Sequence, residues 1–317
     1  MEIRPLKEGE ESSIRDLFAL AFGIQLYEDE WRWKYRLAPW GSASMVAIQD
    51  GIIIAHYGGV RLPFRGGRTE HMAYEICDVM THPEYRAMFL ARRGAMVRAA
   101  ELYESSIPMD FAFGFPSERH ARLATIQLGV ERNRFVSVLV KSVGEMRRKR
   151  TPLIKVAQGW NSVKAQEIDR MWNKIKQDYS LTIDKTSDYI FWRYRDRPRR
   201  NYEVITFRTG LTNSLKGWAV INIVEKYLNV LDFFTSTLAD FESLFVEIER
   251  IAKVREAERV RLWVHPDEGI RSVFKALGYI EEQGIPLTCK ILRRGISLTP
   301  EAFFGKYCYR MGDYDAS

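Results

Sequence analysis

The residues best placed to do chemistry fall in one stretch, Glu75-Ile76-Cys77-Asp78-Val79-Met80-Thr81-His82-Pro83-Glu84-Tyr85-Arg86-Ala87-Met88-Phe89-Leu90-Ala91, which runs into the helix-like Arg92 to Ala100. An apolar run, a proline-marked turn and a helix start predict strand, tight turn and helix in that order. A turn of this kind aims several free backbone N–H groups at one point, backed by the positive end of the helix dipole, and so makes a seat for phosphate oxygens. Arg86 adds a basic anchor at its first position. Cys77 could be imagined as a nucleophile, but it stands in an apolar strand with no histidine pattern nearby, which reads as a core cysteine. Cys77, Cys289 and Cys308 are odd in number and far apart, so neither a disulfide framework nor a paired-ligand zinc site is expected. Reduced, structural thiols fit better, and no metal is expected.

Stepping from that stretch to the whole chain, 317 residues suffice for two domains of about 150 each. Apolar residues at 46% and charged residues at 28% allow a core under a wet surface. The opening Met1-Glu2-Ile3-Arg4-Pro5 carries charge, and no apolar run nears the roughly 20 residues that span a bilayer, so a cytoplasmic protein without membrane attachment is expected. The net charge of +7 favours anionic partners. A phosphate-rich cofactor satisfies it as well as nucleic acid does, and the basic residues are spread along the chain with no recognised nucleic-acid motif. The run Arg147-Arg148-Lys149-Arg150 before Thr151-Pro152 reads as a solvated linker.

The elements around the stretch recur. Ahead of it come a short strand at Glu2 to Arg4, a helix with Ile14, Leu17, Phe18, Ala21 and Phe22 on one face, and the aromatic, basic segment Trp31 to Pro39. A hairpin follows, turning at Asp50-Gly51 between two apolar runs. Beyond the stretch, Met109 to Phe115 reads as a strand, Arg119 to Leu128 as a helix stopped by Gly129, and Phe135 to Val140 as a closing strand. Trp192-Arg193-Tyr194-Arg195-Asp196-Arg197-Pro198 then repeats the Trp-basic-Tyr-Arg-x-x-Pro form that begins at Trp33. Asp232-Phe233-Phe234-Thr235 answers Asp78-Val79-Met80-Thr81, and Leu262 to Pro266 answers Phe113 to Pro116, each before a short helix ending at Gly278 or Gly129. Four landmarks in one order predict a duplicated unit, with copies at residues 1–148 and 149–317 and a mixed α/β sheet in each. Because the Trp-basic-Tyr-Arg segment persists in both copies, it reads as packing, with rings inward and arginines outward, ahead of a ring-stacking lip. The aromatic, acidic tail Tyr307 to Asp315 either reaches back into a cleft or lies disordered.

In its order of elements and its turn, the first half resembles the GCN5-related N-acetyltransferase (GNAT) superfamily, and the duplication resembles its tandem members. The resemblance implies two tandem GNAT-like acyl-CoA N-acyltransferase domains that would bind acyl-CoA, as acetyl-CoA or a longer thioester, where two parallel strands splay apart. The pyrophosphate pattern Arg/Gln-x-x-Gly-x-Gly/Ala falls on Arg86-Ala87-Met88-Phe89-Leu90-Ala91, with Phe89 in place of the inner glycine. A Cβ there keeps the backbone from a phosphate, so binding would be weaker or differently shaped, or Phe89 fills a site that has lost its cofactor. Backbone N–H groups near Val79 and Met80 would hold the thioester carbonyl. Glu75 stands eleven residues before Arg86, the place of a general-base glutamate in histone-acetylating members. As a base it would take a proton from an ammonium; as an ordinary strand glutamate it would face solvent or pair with an arginine.

The family's usual acid, a tyrosine four residues before the helix-ending glycine, is Thr125 in the first copy and Phe274 in the second. Tyr57, Tyr74 and Tyr85 are candidates by proximity in sequence only. In the second copy the turn reads Ser236-Thr237-Leu238-Ala239-Asp240-Phe241, with no glycine or base, and Asp240 would repel phosphate. The expected activity is direct acyl transfer to an amine of a small molecule or a peptide, in the first copy, with the second as scaffold. A catalytically inactive GNAT-like scaffold or ligand-binding protein is the rival, and a nucleic-acid binder the weaker one.

Overall fold

The computed structural model describes residues 1–86, 94–145, 154–210, 212–265 and 269–315. The first half runs β1 (Glu2–Pro5), α1 (Glu11–Phe22), α2 (Glu28–Tyr35), β2 (Ser42–Gln49), β3 (Ile52–Gly66), β4 (Thr69–Thr81), α3 (Ala95–Ser106), β5 (Phe111–Gly114), α4 (Glu118–Leu128) and β6 (Glu131–Ser142). The second runs β7 (Ile154–Gln158), α5 (Ala165–Ile175), β8 (Thr182–Ile183), α6 (Ser187–Ile190) continuing as a π-helical turn to Arg195, β9 (Glu203–Thr209), β10 (Leu215–Val224), β11 (Tyr227–Thr235), α7 (Leu238–Val254), β12 (Arg259–Trp263), α8 (Arg271–Ala276) and β13 (Ile280–Ile291). A last helix, α9 (Pro300–Lys306), leads into the tail.

Local chemistry sets the boundaries. Asp50 and Gly51 both take positive φ, +51° and +80°, as the tight turn joining β2 to β3 requires. Gly23 and Gly129 end α1 and α4 in the left-handed conformation, their N–H groups returning to Ala19 and Ala124. Ser117 and Thr237 cap α4 and α7 through their side chains. On α5 the buried Ile168, Met171, Trp172 and Ile175 form one helical stripe.

The strands form one continuous sheet, ordered β1-β2-β3-β4-β5-β13-β6-β12-β11-β10-β9-β7, with β8 beside β3. Two features carry the site. In each half the inner pair, β4 with β5 and β11 with β12, is parallel. The closing strands, by contrast, are exchanged. Phe135 to Val140 forms part of β6, as its pattern predicts, but β6 pairs with β12 of the second half, while β13 lies against β5 of the first. The two meet antiparallel at the centre of the sheet.

Three cores result. Tyr57, Tyr74, Met96, Ala99 and Tyr103 lie between the first half's sheet and α3, and Phe233, Phe241, Phe245 and Phe274 between the second half's sheet and α7 and α8. The third core, on the other face, is shared: Trp33, Tyr35, Phe113, Trp172, Trp192, Tyr194 and Tyr307 all belong to it. Among the described residues, no helix is long and apolar enough to cross a membrane.

Candidate active site

The repeated aromatic segments lie on α2 and on the α6 turn and meet face to face in the shared core. Trp33 and Trp192 stack with ring centroids 5.1 Å apart and planes 15° from parallel. Each indole N–H donates to the other's backbone carbonyl, at 2.7 Å from Trp33 and 3.1 Å from Trp192. Both rings are buried, so the segments pack the two halves together. The residues after each tryptophan then turn inward.

In the first half those residues are Lys34 and Tyr35, and their target is Asp78. A β-bulge in β4 places Asp78 at φ +51°, a conformation aspartate tolerates better than most side chains. Its carboxylate accepts from Tyr35 Oη at 2.8 Å and from Lys34 Nζ at 3.0 Å. Its carbonyl oxygen takes a hydrogen bond of 2.8 Å from His56 Nδ1, which fixes the ring's proton there and leaves Nε2 to accept from Ser44 Oγ. The second half rebuilds this arrangement on its own bulge, between the Val220–Asp232 and Ile221–Val230 pairs. Tyr194 Oη donates to Asp232 at 3.0 Å, and the cation on Asp232 is Lys185, at 2.8 Å.

Glu75 sits three residues before the first bulge, at the last paired position of β4 with β5. Beyond it β4 has no ladder partner on that side among the described residues, so the strands part there. Glu75 is only 3% exposed, and its counterpart by alignment of the bulges is the neutral Asn229. Burial pushes the Glu75 carboxyl up to about 8, against the opposing pull of Arg193. Arg193, the counterpart of Lys34, crosses from the second half to place Nη1 3.7 Å from Glu75 Oε2.

The tail closes this region from the shared core. It reaches back into the cleft, with Asp313 on Lys185 and taking a hydrogen bond from Tyr307 Oη at 3.0 Å. Tyr314 stacks on Trp263 at the end of β12 and meets Phe115 just past β5. Asp315 accepts from Lys34 Nζ at 2.6 Å and lies 3.9 Å from Arg193 Nη1. Burial acts to raise the Asp315 carboxyl, but Lys34, Arg197 and Arg193 hold it at about 2. Cys77, Asp78 and Asp315 bring three potential ligand atoms within 4.8 Å of one another, yet the ammonium of Lys34 already lies on both carboxylates and is the cation of that group.

The other residues singled out by sequence fall as follows. Val79 packs against the α3 side and Met80 is buried in the shared core, as strand alternation requires. Arg86 extends along the surface and donates to the carbonyl of Ala21 at the end of α1, 3.1 Å away. Ala87, Met88, Phe89, Leu90 and Ala91 lie outside the described residues. Tyr57 and Tyr74 pack edge-on against Tyr103, burial raising the pKa of each, and Tyr85 lies by His82. Thr125 returns its hydroxyl to Ala121, and Phe274 is core. All three cysteines are buried, and none forms a disulfide among the described residues. Asp240 is used locally, its N–H and carboxylate both bonded to the Thr237 hydroxyl. A cavity of about 550 Å³ opens at the far end of β4, between Arg61, His71, Asp110 and Arg293, away from Glu75. Asp110 there ties strand ends together, accepting from Met72 N–H and Arg293.

Comparison with known proteins gives the architecture its place. Residues 2–121 match the family described as acetyltransferase (GNAT) domain, whose members use acyl-CoA as co-substrate. No curated protein sequence matches the chain. Among solved structures, a protein of Enterococcus faecalis V583 described as a "Probable N-Acyltransferase" superposes with a TM-score of 0.71 at 12% identity, over 92% of this chain and 72% of that one. A GCN5-related N-acetyltransferase from Anabaena variabilis gives 0.67 at 12% identity, over 92% and 73%. A tandem GNAT protein from the clavulanic acid biosynthesis pathway gives 0.58 at 14% identity, over 93% and 99%. The chain thus has the GNAT fold in tandem form.

Proposed function

We propose that the first half is an acyl-CoA-dependent N-acyltransferase site that passes an acyl group, in the simplest case acetyl, directly from the thioester to an amine of a small molecule or a peptide. The observation that carries this reading is Glu75, a buried carboxyl held near a pKa of 8 at the point where β4 leaves β5. A base so tuned accepts a proton from an ammonium near neutral pH. Because the carboxyl is sealed by Arg193 and the tail, it would act through a water.

Past the bulge, the edge of β4 at Val79 and Met80 that faces away from β3, which has no ladder partner among the described residues, is suited to hold the thioester arm and its carbonyl by backbone groups. Arg86 and the turn through Ala87, Met88, Phe89, Leu90 and Ala91 would take the pyrophosphate. Positioning and deprotonation supply the rate, without a covalent enzyme intermediate. The second half, with its turn closed on Thr237 and Asp240, acts as scaffold. Three buried cysteines outside any disulfide among the described residues suit a reducing cytoplasm.

Calorimetry with acetyl-CoA tests this. Micromolar binding, weakened at least about tenfold by Arg86→Glu as expected for reversing a phosphate-facing charge, is the expected result. No detectable binding to the intact chain would overturn the reading and leave the inactive scaffold, which the absence of a tyrosine at Thr125 favours.

A further inference from the structure

The two halves are built on one plan, and the plan is broken at one residue. Lys34 and Arg193 hold equivalent places after the stacked tryptophans. Lys34 serves the aspartate of its own half, Asp78. Arg193 does not serve Asp232, because Lys185 takes that part, standing where the first half has the apolar Leu26. The guanidinium freed in this way is directed across the shared core to Glu75, for which the second half has only Asn229.

We propose that Arg193, a residue of the second half, is the positioning residue of Glu75, so that the first half's site is complete only with the second half folded against it. This rests on the acyltransferase reading above. The geometry argues for a tuned contact over a tie that merely joins the halves. Arg193 is 1% exposed and fixed by Nε donating to the Gly312 carbonyl at 2.8 Å. At 3.7 Å its Nη1 is near enough to orient the carboxylate, yet the distance is longer than a direct hydrogen bond. Its Nη2 is buried with no hydrogen-bond partner among the described residues, a costly state for a guanidinium donor. A water shared with Glu75 would satisfy that donor, and such a water is the carrier the proposed proton transfer needs.

The other charged and titratable groups facing Glu75 are Lys34 on α2, Cys77 on β4, and Tyr307, Asp313, Tyr314 and Asp315 of the tail. The acids among them raise its proton affinity. Lys34 opposes them, but it is bonded to Asp78 and Asp315, whereas Arg193 forms the direct ion pair with Glu75, at 3.7 Å, while also lying 3.9 Å from Asp315.

The test is direct titration of the Glu75 carboxyl, by infrared difference spectroscopy against Glu75→Gln, in the intact chain and in Arg193→Met. Removing Arg193 should raise the midpoint by one unit or more, and Arg193→Lys should restore at least half of that shift. With acetyl-CoA and a panel of amines, the acid limb of kcat/KM should move by the same amount, about tenfold in rate per unit on that limb. An unchanged midpoint in a folded Arg193→Met protein overturns the proposal while leaving the acyltransferase reading intact. Failure of the unaltered chain to bind acetyl-CoA defeats that reading instead, whatever the titration gives. Should Arg193→Met not fold, Arg193→Lys decides alone, since the more compact ammonium should still displace the midpoint measurably.

Discussion

The two halves of this protein use the same parts for different ends. Each has a bulged strand, an aspartate at the bulge bonded by a tyrosine, and a tryptophan that grips its opposite number. In the second half the aspartate, its lysine and the tail's Asp313 are sealed together, and the strand position before the bulge is Asn229, bonded to Asn222 and Arg261. There the aspartate's charge is balanced within its own half. In the first half Glu75 stands at this position, and its cation comes from the other half. The difference is that Asp232 is balanced at home by Lys185, whereas Glu75 lies against a guanidinium that comes from across the interface.

Four measurements press on that comparison. The largest effect is expected from Glu75→Gln, which should lower acyl transfer, followed by thiol release from acetyl-CoA, by about 10²- to 10⁴-fold, the usual contribution of a general base. Asn229→Ala should leave the rate unchanged. Equal losses at the two positions would erase the distinction.

Next is stability. Asp232→Ala leaves Lys185 fully buried with Asp313 as its one remaining acid, and should cost about 3–5 kcal/mol in denaturant melts. Asp78→Ala should cost less, about 1–3 kcal/mol, because its site is nearer solvent.

The pH dependence of stability follows from the raised pKa of Glu75. Between its ordinary value of 4.5 and about 8 the folded chain binds a proton that the unfolded chain has released, so stability falls as pH rises across that window. The slope from one such group is at most about 1.4 kcal/mol per pH unit. Glu75→Gln should remove it, and melts from pH 5 to pH 8 that retain the full slope would show that Glu75 is not the group responsible.

The smallest effect concerns the symmetric contact. Trp33→Phe and Trp192→Phe each delete one indole N–H bond to the other segment, and should destabilise equally, with a coupling of about 1 kcal/mol in a double-mutant cycle. Unequal losses would mean that the interface is not as balanced as its geometry.

Much of the fold was legible in the sequence because repeats and turns are written locally. Trp33 and Trp192 announced the duplication, Asp50-Gly51 the hairpin, Gly129 the end of a helix. The exchange of β6 and β13 was not legible. Both strands alternate in the same way and both follow a helix stopped by glycine, so nothing local says which half each will close. Glu75 was found through its spacing from Arg86, but its fate among solvent, a neighbour and a catalytic setting depended on a residue 118 positions away. One signal was present and unread: aligning the copies pairs Glu75 with Asn229 and Lys185 with Leu26, which leaves one extra acid in the first half and one extra base in the second. The acidic tail had no pattern to mark it as core; its acids are met by Lys34 on α2, Lys185 just before α6 and Arg193 on the π-helical turn, and Tyr314 stacks on Trp263.

The strand exchange also bears on how the chain is made. When Gly114 has left the ribosome, the edge of β5 is exposed, and the strand that covers it begins only at Ile280. At about 5–20 residues per second, that edge waits on the order of ten seconds or more for its partner. An open edge is a template for pairing with another chain, so the nascent first half is a species that a chaperone would be expected to shield, and β13 acts as the latch that ends its exposure.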